Sequence, residues 1–238
     1  MKGVILAGGK GTRLHPLTKV TNKHLLPVGR EPMLFHPLRQ LVSIGISEIL
    51  VVTGVEHMGT IVDCLGDGED FGCSLTYRVQ RAAGGIAQAL AMAEGFAAGD
   101  RTTVILGDNI FECPITVYAD HFRVGPRFSA RIVLKEVDHP ERFGVATVKD
   151  GRVVALQEKP AESASRLAVT GLYFFDRDVF DIIRDLKPSE RGELEITDVN
   201  AAYMRLGRLQ YDICEGQWTD AGTFESYREA NELLWGAT

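Results

Sequence analysis

The chain opens on the stretch KGVILAGGKGTRL, residues 2–14, and this stretch decides its fold. Its first six residues form an apolar run with the length of a buried strand, so we predict a strand over Lys2–Ala7. A loop with three glycines and a basic residue follows directly. Glycines let a backbone come close to a phosphate, so that successive N–H groups can cradle it. The alternative, a flexible turn with incidental charge, stays open because a glycine-rich turn alone is weak evidence.

The glycine loop differs from two better-known nucleotide-binding loops. A Walker A loop ends in Gly-Lys-Ser/Thr, which does not occur at this loop, and Gly9, Gly11 and Leu14 break the GxGxxG spacing of dinucleotide-binding folds. The sequence also has no acidic residue at the distance expected for binding a ribose. These departures argue against an NAD-dependent dehydrogenase.

Short apolar runs alternate with helical patterns in the first half of the chain. The apolar residues of 86–98 recur at helical spacing, which predicts an amphipathic helix. Strands that alternate with helices indicate a parallel sheet with helices on both faces, where ligands lie outside the carboxyl ends of the strands. We predict further strands over Glu48–Thr53, Leu75–Gln80 and Thr103–Leu106, and a helix over Glu31–Ile44 that Pro37 either kinks or delays.

The second half of the chain is richer in strands, and Asp150-Gly151 marks a tight hairpin. No Pro/Gly/Ser-rich linker separates the halves, so we predict one domain over 1–238, with halves 1–125 and 126–238. The predicted fold class is α/β, a Rossmann-like, mostly parallel sheet flanked by helices, with a β-rich subdomain. The second-half strands are predicted over Ser129–Val137, Val145–Lys149, Val153–Glu158 and Ala168–Phe175, and its helices over 178–186, 195–206 and 223–234.

Composition and charge exclude several classes of protein. Apolar residues make up 45% and charged residues 24% of the chain, which is ordinary for a globular protein. The net charge is −6 and no Lys/Arg-rich run occurs, so we expect no nucleic-acid partner. No apolar run approaches the ~20 residues of a membrane span. We expect a cytoplasmic protein, because Gly8, Gly9 and Lys10 interrupt the opening apolar run too early for a signal peptide.

Two aspartates stand at predicted element ends. Asp108 follows the strand that ends at Leu106, and Asp220 precedes a predicted helix start. A carboxylate at the carboxyl end of a strand can hold Mg²⁺ against a triphosphate. The alternatives are an Asx turn at Asp108 and a helix cap at Asp220, both of which are common.

Two further segments combine charges of both signs. Glu158 and Lys159 end a predicted strand, where the carboxylate suits sugar hydroxyls and the ammonium suits a phosphate. The alternative is a surface ion pair worth about 0–1 kcal/mol. Arg191 precedes a predicted helix and can also bind a phosphate, although the acidic residues after it equally suit an ordinary helix start.

The order of these motifs along the whole chain resembles the sugar-1-phosphate nucleotidyltransferase family. The resemblance rests on collinearity, which is more specific than any single motif. The matching segments are Gly8–Arg13, Asn22–Pro27, Leu65–Gly68, Gly85–Ala89, Gly107–Asn109, Pro140–Val145, Glu158–Pro160, Val169–Phe174, Arg191–Asp198 and Asp220–Thr223.

The resemblance implies roles for particular residues. Arg13 and Lys23 would neutralise the triphosphate, with Arg13 mainly on the departing pyrophosphate. Lys159 and Arg191 would hold the sugar phosphate, and these four cations would be the catalytic residues. Asp108 and Asp220 would be ligands of Mg²⁺, the implied cofactor. The implied substrate-binding residues are Gly8, Gly9, Gly11, Thr12, Gln80, Gly85, Asn109, Gly144, Glu158, Val169 and Tyr173, with Gln80 and the Gly85 backbone on a pyrimidine edge and Gly144, Glu158, Val169 and Tyr173 at the sugar.

The resemblance further implies Mg²⁺-dependent transfer of a nucleotidyl group from dTTP to glucose 1-phosphate, with a sugar-binding second half and a homo-oligomeric protein. UTP or another nucleoside triphosphate, and another sugar 1-phosphate, stay open as substrates, since one methyl group distinguishes thymine from uracil. A non-catalytic nucleotide-sugar sensor on the same fold is less expected, because Arg13, Asp108, Lys159 and Asp220 are all present.

Two departures from the family pattern bear on selectivity and regulation. The segment Arg81–Gly84 stands where the family commonly has a proline-containing segment, which leaves the details of base selection open. Longer relatives continue with a C-terminal lobe that forms a regulatory site, and this sequence ends at Thr238. We therefore expect end products such as dTDP-rhamnose to inhibit only weakly, by competition at the active site.

Overall fold

A computed structural model describes residues 1–235, and a nine-stranded sheet lies at their centre. The strands are β1 (Lys2–Ala7), β2 (Glu48–Gly54), β3 (Ser74–Gln80), β4 (Thr102–Leu106), β5 (Ala130–Glu136), β6 (Gly144–Lys149), β7 (Arg152–Glu158), β8 (Leu167–Phe175) and β9 (Leu209–Ile213). The helices are α1 (Phe35–Ser43), α2 (Met58–Leu65), α3 (Ile86–Ala91), α4 (Glu94–Ala97), α5 (Thr116–Val124), α6 (Val179–Asp185), α7 (Ile196–Arg205) and α8 (Phe224–Trp235).

The sheet is parallel in the first half of the chain and mixed in the second. Its strand order is β7-β6-β8-β4-β1-β2-β3, and β5 pairs with both β8 and β9. Strands β1 to β4 are mutually parallel, whereas β8 runs antiparallel to β4. The predicted α/β class with a mostly parallel sheet in the first half is therefore confirmed, and the β-rich second half extends the same sheet.

Both faces of the central strands are buried. Val4 and Leu6 of β1 belong to one core cluster, and Ile5 and Ala7 belong to the other, on the opposite face of the sheet. This alternation explains the continuous apolar run, because a parallel strand covered on both faces has no polar side. Each cluster draws residues from both halves of the chain, as Leu50 and Tyr173 show in the first cluster.

Two predicted helices differ from the structure. The helix expected over Glu31–Ile44 begins only at Phe35, because Glu31–Pro32 pairs instead with Pro27–Val28 in a small antiparallel ladder. Pro37 lies in the first turn of α1, where its missing N–H costs no intrahelical hydrogen bond. The helix expected over 86–98 is divided into α3 and α4 by a tighter turn, with Ala93 N–H donating to the carbonyl of Leu90.

Three of the numbered elements were not predicted from the sequence. Helices α2 and α5 are short and bury only a few apolar residues each, such as Ile61 and Phe122. Strand β9 pairs in parallel with β5 and is only partly buried along most of its length. No helix within residues 1–235 is long and apolar enough to cross a membrane.

Candidate active site

A cavity of about 330 Å³ opens at the carboxyl ends of the parallel strands. The chain runs from β1 outward to β2 and β3, and then returns to the other side of β1 as β4. Such a reversal of strand order leaves a crevice where ligands bind in open α/β sheets. The predicted site residues that line the cavity are Gly8, Gly9, Arg13, Lys23, Gln80, Gly85, Asp108, Asn109, Gly144, Glu158, Lys159, Val169, Tyr173, Arg191 and Asp220.

The glycines after β1 leave room for neighbouring polar side chains. A Cβ added to Gly8 would lie 2.7 Å from Oε1 of Gln80, and one added to Gly9 would lie 3.3 Å from Cε of Lys23. Any larger residue at Gly8 would therefore displace the Gln80 amide. The loop thus brings its backbone close to two side chains of the cavity wall.

Gly11 and Thr12 are the predicted residues that do not line the cavity. Gly11 has a φ of 65°, and its carbonyl accepts a hydrogen bond from the Thr18 hydroxyl at 2.7 Å. Thr12 is exposed at the start of the short helical turn that carries Arg13. Both residues thus shape the turn that presents Arg13, whose Nη2 would lie 3.1 Å from a Cβ at Gly222.

Asp108 is partly buried beside a cation just after the end of β4. The Lys23 ammonium donates to Oδ2 of Asp108, and the Asn109 amide donates to its Oδ1 at 3.0 Å. Burial alone would raise the pKa of Asp108, but the Lys23 charge holds this pKa below its usual range. The carboxylate is therefore ionised at neutral pH and oriented by two donors.

Asp220 faces the same cavity from the second half of the chain. Its Oδ1 accepts a hydrogen bond from Nη2 of Arg142 at 3.0 Å. The alternative role as a helix cap is not observed, because the Thr223 hydroxyl accepts from the Ser226 N–H at 3.2 Å and caps α8. Asp220 is thus directed to the cavity and not to the helix.

The two aspartates suit a hard divalent cation that also binds substrate. Within residues 1–235 there is no group of three or more His, Cys, Asp or Glu side chains that could hold a metal ion alone. Mg²⁺ does not need one, since it is commonly bound by one or two carboxylates together with waters and substrate phosphates. Asp108 and Asp220 both line the cavity and supply oxygen ligands of this kind.

Glu158, at the end of β7, is held from two sides. The Thr197 hydroxyl donates to its Oε2, and Nη2 of Arg191 lies 3.3 Å from its Oε1. A Cβ added to Gly144 would lie 2.9 Å from the Thr197 hydroxyl, so only glycine leaves this arrangement undisturbed. Glu158 is thereby positioned to accept hydrogen bonds from hydroxyl groups.

Lys159 adopts a backbone conformation that is uncommon for a residue with a side chain. Its φ is 43°, and its N–H donates to the carbonyl of Phe143 at 3.0 Å. Its ammonium lies 3.7 Å from Oε1 of Glu158, so the ion-pair alternative is present as well. Strained residues of this kind cluster at functional sites, because the surrounding structure has to enforce them.

Arg191 is surrounded by carboxylates. Its Nη2 lies 2.9 Å from Oε2 of Glu195 and 3.3 Å from Oε2 of Glu193, in addition to its contact with Glu158. These carboxylates keep the guanidinium in the cavity wall. A phosphate that binds Arg191 would therefore have to share it with, or take it from, these groups.

Asn109, Val169 and Tyr173 form the buried floor of the cavity. Oδ1 of Asn109 accepts from the Gly171 N–H at 2.8 Å and from Nε1 of Trp218 at 2.7 Å, so this amide chiefly joins β8 to the Asp108 turn. Burial raises the pKa of Tyr173 above its ordinary value, so its hydroxyl stays protonated at neutral pH and does not act as a base.

A comparison with models of protein families finds a match along nearly the whole chain. Residues 2–235 match the family model described as Nucleotidyl transferase. The chain belongs to the nucleotidyl transferase family. It is therefore a nucleotidyltransferase, as the order of its sequence motifs indicated.

Named relatives of this nucleotidyltransferase match it along nearly all of its length. It is 43% identical over 237 residues to the glucose-1-phosphate thymidylyltransferase of Neisseria meningitidis serogroup A / serotype 4A, a match that covers 98% of this chain and 82% of the relative. The enzyme of the same name from Mycolicibacterium smegmatis is 41% identical over 241 residues, with the same coverage.

Solved structures have the same fold as this nucleotidyltransferase. A crystal structure from Bacillus anthracis, assigned as a glucose-1-phosphate thymidylyltransferase and in complex with a sucrose, has a TM-score of 0.94 and 53% identity over 98% of this chain and 95% of its own. A UDP-glucose pyrophosphorylase complexed with UDP-glucose is 23% identical with a TM-score of 0.84, covering 100% of this chain and 99% of its own, which shows the shared fold alone.

Sequence reasoning did not assign roles to several residues that shape the site of this nucleotidyltransferase. Arg142 pairs with Asp220, Thr197 with Glu158, and Glu195 with Arg191. All of these lie in segments that matched the family pattern, but none has a local signal that names its partner. Their partners are distant along the chain in the first two pairs, so only the fold reveals them.

Proposed function

We propose that this nucleotidyltransferase transfers the thymidylyl group of dTTP to glucose 1-phosphate, giving dTDP-glucose and pyrophosphate. The proposal rests on the relatives named glucose-1-phosphate thymidylyltransferase, at 41–43% identity over 98% of the chain. The observation that carries it is a single cavity lined by cations and carboxylates from both halves of the chain. A site of this kind can bring two anionic reactants together and offset their repulsion.

The reaction needs positioning more than proton transfer. A phosphate oxygen of the sugar 1-phosphate attacks the α-phosphorus of the triphosphate, and the bond from this phosphorus to the bridging oxygen of the leaving pyrophosphate breaks. The nucleophile is already an anion, so no general base is required. Arg13 and Lys23 offset charge on the triphosphate, and Lys159 and Arg191 hold the sugar phosphate, while Glu158 accepts hydrogen bonds from the sugar hydroxyls.

Asp108 and Asp220 would hold Mg²⁺ in this site. The ion supplies charge neutralisation on the phosphate oxygens when it is bound. Lys23 and Arg142 meanwhile keep the two carboxylates oriented. Removal of divalent ions with EDTA is expected to abolish turnover, and added Mg²⁺ is expected to restore it. Full activity in EDTA would refute the metal assignment.

Assays with pairs of substrates test the proposed reaction. We expect pyrophosphate release to be fastest with dTTP and glucose 1-phosphate, when dTTP, UTP, dCTP, ATP and GTP are each combined with a panel of hexose 1-phosphates. UTP is the main competing substrate, because a methyl contact is worth only about 1–3 kcal/mol of discrimination. A clear preference for a purine nucleotide or for a different sugar would overturn the proposal.

Kinetics of two variants test the assignment of the phosphate sites. Arg13→Ala should lower kcat most, because Arg13 is assigned to the charge of the leaving pyrophosphate. Lys159→Ala should raise the KM for the sugar phosphate at least tenfold, by an order-of-magnitude estimate, with some loss of kcat. If Lys159→Ala weakened only triphosphate binding, the two phosphate sites would be assigned the wrong way round. The homo-oligomeric state and the cytoplasmic location stay predictions.

A further inference from the structure

Gln88, on α3, determines how the amide of Gln80 is oriented. Oε1 of Gln88 lies 3.1 Å from the backbone nitrogen of Gly84 and 2.9 Å from the side-chain amide of Gln80. A backbone N–H can only donate, so the Gln88 atom that faces Gly84 has to be its oxygen. Because the same oxygen faces Gln80, the Gln80 amide has to present its NH₂ group there.

A second acceptor enforces the same orientation. The Gln80 Nε2 also lies 3.4 Å from the carbonyl oxygen of Gly85. Reversing the amide would place its carbonyl oxygen against the oxygens of Gln88 and Gly85 and would lose both hydrogen bonds of the Gln80 NH₂ group, which is costly in a part-buried position. Oε1 of Gln80 is therefore turned the other way, towards Gly8, where an added Cβ would lie 2.7 Å from it.

The Gln88 side chain is itself held in place. A Cβ added to Gly84 would lie 2.3–2.4 Å from the atoms of the Gln88 amide, so this amide fills the space that a side chain at Gly84 would occupy. Gly84 ends the segment Arg81–Gly84 that departs from the family pattern. Among the described residues, Gln80 and Gly8 line the cavity, whereas Gln88 lies behind Gln80 and does not.

A fixed hydrogen-bond acceptor distinguishes pyrimidine bases. Thymine and uracil carry an N3–H donor, whereas N3 of cytosine is an acceptor with no hydrogen. An oriented carbonyl oxygen thus pairs with N3–H of thymine or uracil and opposes the lone pair of cytosine N3. We propose that Gln88 is a positioning residue that holds Gln80 in its acceptor orientation, and so makes the site reject cytosine nucleotides. The proposal rests on the proposed function, because it presumes that the base binds at Gln80.

Two variants of Gln88 separate orientation from packing. Gln88→Met keeps the length of the side chain but removes the nearer acceptor. Only the longer contact with the Gly85 carbonyl then holds the Gln80 amide, which can turn and offer its NH₂ group to cytosine. Gln88→Glu keeps the acceptor, because a carboxylate accepts from both Gly84 and Gln80. The measured quantity is the ratio of kcat/KM for dTTP to kcat/KM for dCTP. We expect this ratio to fall about tenfold or more in Gln88→Met, and to stay within about threefold of wild type in Gln88→Glu.

A double-mutant cycle tests whether Gln88 acts through Gln80. Gln80→Leu removes the amide that Gln88 orients, so adding Gln88→Met in this background should leave the dTTP-to-dCTP ratio unchanged. A merely structural role of Gln88 would lower activity with both nucleotides and leave their ratio alone. A further fall of the ratio in the Gln80→Leu background would overturn the proposal.

Binding separates failure of this proposal from failure of the proposed function. The dissociation constants of dTDP and dCDP, measured by calorimetry, do not depend on turnover. If no nucleotide-sugar forms but Gln88→Met brings the dissociation constants of dTDP and dCDP closer together, the proposed function fails and the role of Gln88 stands. If the enzyme makes dTDP-glucose but Gln88→Met changes neither the dTTP-to-dCTP ratio of kcat/KM nor the ratio of the dissociation constants of dTDP and dCDP, the role of Gln88 is refuted. Gln88→Leu is a second variant that lacks the acceptor. If Gln88→Met and Gln88→Leu both lose the native circular dichroism spectrum, Gln88 is a structural residue and the proposal is overturned.

Discussion

At the scale of single residues, the surroundings of Asp108 suit a carboxylate that binds a metal ion through its negative charge. Asp108 is partly buried, is ionised because the Lys23 charge lowers its pKa, and is oriented by Lys23 and Asn109. We expect Asp108→Asn to lower kcat at least about 100-fold, as the loss of one group that stabilises charge in a transition state commonly does. The fold should persist, because Asn keeps the shape of the side chain and one oxygen acceptor.

The matched control for this variant is Asp181→Asn. Asp181 lies on α6, where its exposed side chain pairs with Arg184 and does not line the cavity. Its replacement should leave kcat within about twofold of wild type, since surface substitutions have small effects. Activity of Asp108→Asn within a few-fold of wild type, at ordinary Mg²⁺, would rule out Asp108 as a metal ligand.

His24 makes the free energy of unfolding depend on pH. Burial and the neighbouring Lys23 charge lower the pKa of His24 to about 3, while Asp108 raises it less. The unfolded chain binds a proton at this histidine near pH 6.5, whereas the folded chain does not. The free energy of unfolding therefore has its full His24 contribution above about pH 6.5 and loses it as the pH falls towards 3.

Urea unfolding at two pH values measures this contribution. Between pH 7.5 and pH 5.0, in EDTA, the wild type should lose about 2 kcal/mol more of its free energy of unfolding than His24→Gln, which does not titrate. Other groups titrate in the same range in both proteins, so only the difference between them is informative. Equal losses in the two proteins would show that His24 keeps its ordinary pKa in the folded chain.

At the scale of elements, the start of α8 connects a helix cap to the cavity. Thr223 and Ser226 exchange hydrogen bonds between side chain and backbone, in the pattern of a capping box. The helix packs Ala230 against a small cluster that contains Val28 and Ala221, next to Asp220. The cap therefore stabilises both the helix and the segment that carries a predicted metal ligand.

Removing this cap should destabilise the protein measurably. We expect Thr223→Ala to lower the free energy of unfolding by about 1 kcal/mol, because the Ser226 N–H loses its acceptor. Thr223→Ser retains the hydroxyl and should stay within about 0.5 kcal/mol of wild type. Urea titrations followed by circular dichroism measure both, and equal stability of all three proteins would contradict the role of the cap.

At the scale of the whole molecule, the two halves share one core and one sheet. Strand β4 pairs with β1 on one side and with β8 on the other, so within the described residues no boundary in the sheet separates 1–125 from 126–235. The backbone of Leu194 also donates to Gly84 and accepts from Ala87, which joins the second half to the start of α3. Neither half buries its apolar surface without the other.

This continuity predicts a single cooperative unfolding transition. In urea, far-UV circular dichroism and the fluorescence of Trp218 and Trp235 should change at the same midpoint, because both halves lose the same core. Two resolved transitions, or midpoints that differ between the probes, would instead support two separately folding domains. A preparation held at constant protein concentration excludes effects of association on the comparison.

The sequence by itself determined the features that have local signals. The strand over Lys2–Ala7 and the parallel half of the sheet followed from apolar runs and turns. The family resemblance, carried by the order of the motifs, named about half of the residues that line the cavity. The delayed start of α1, the division of 86–98 and strand β9 depended on the tertiary structure, because neighbours outside each segment decide them. The same holds for the pairs Arg142–Asp220 and Gln80–Gln88. Residue type and spacing limit which groups can pair, but only the folded chain brings a particular donor and acceptor within hydrogen-bond distance.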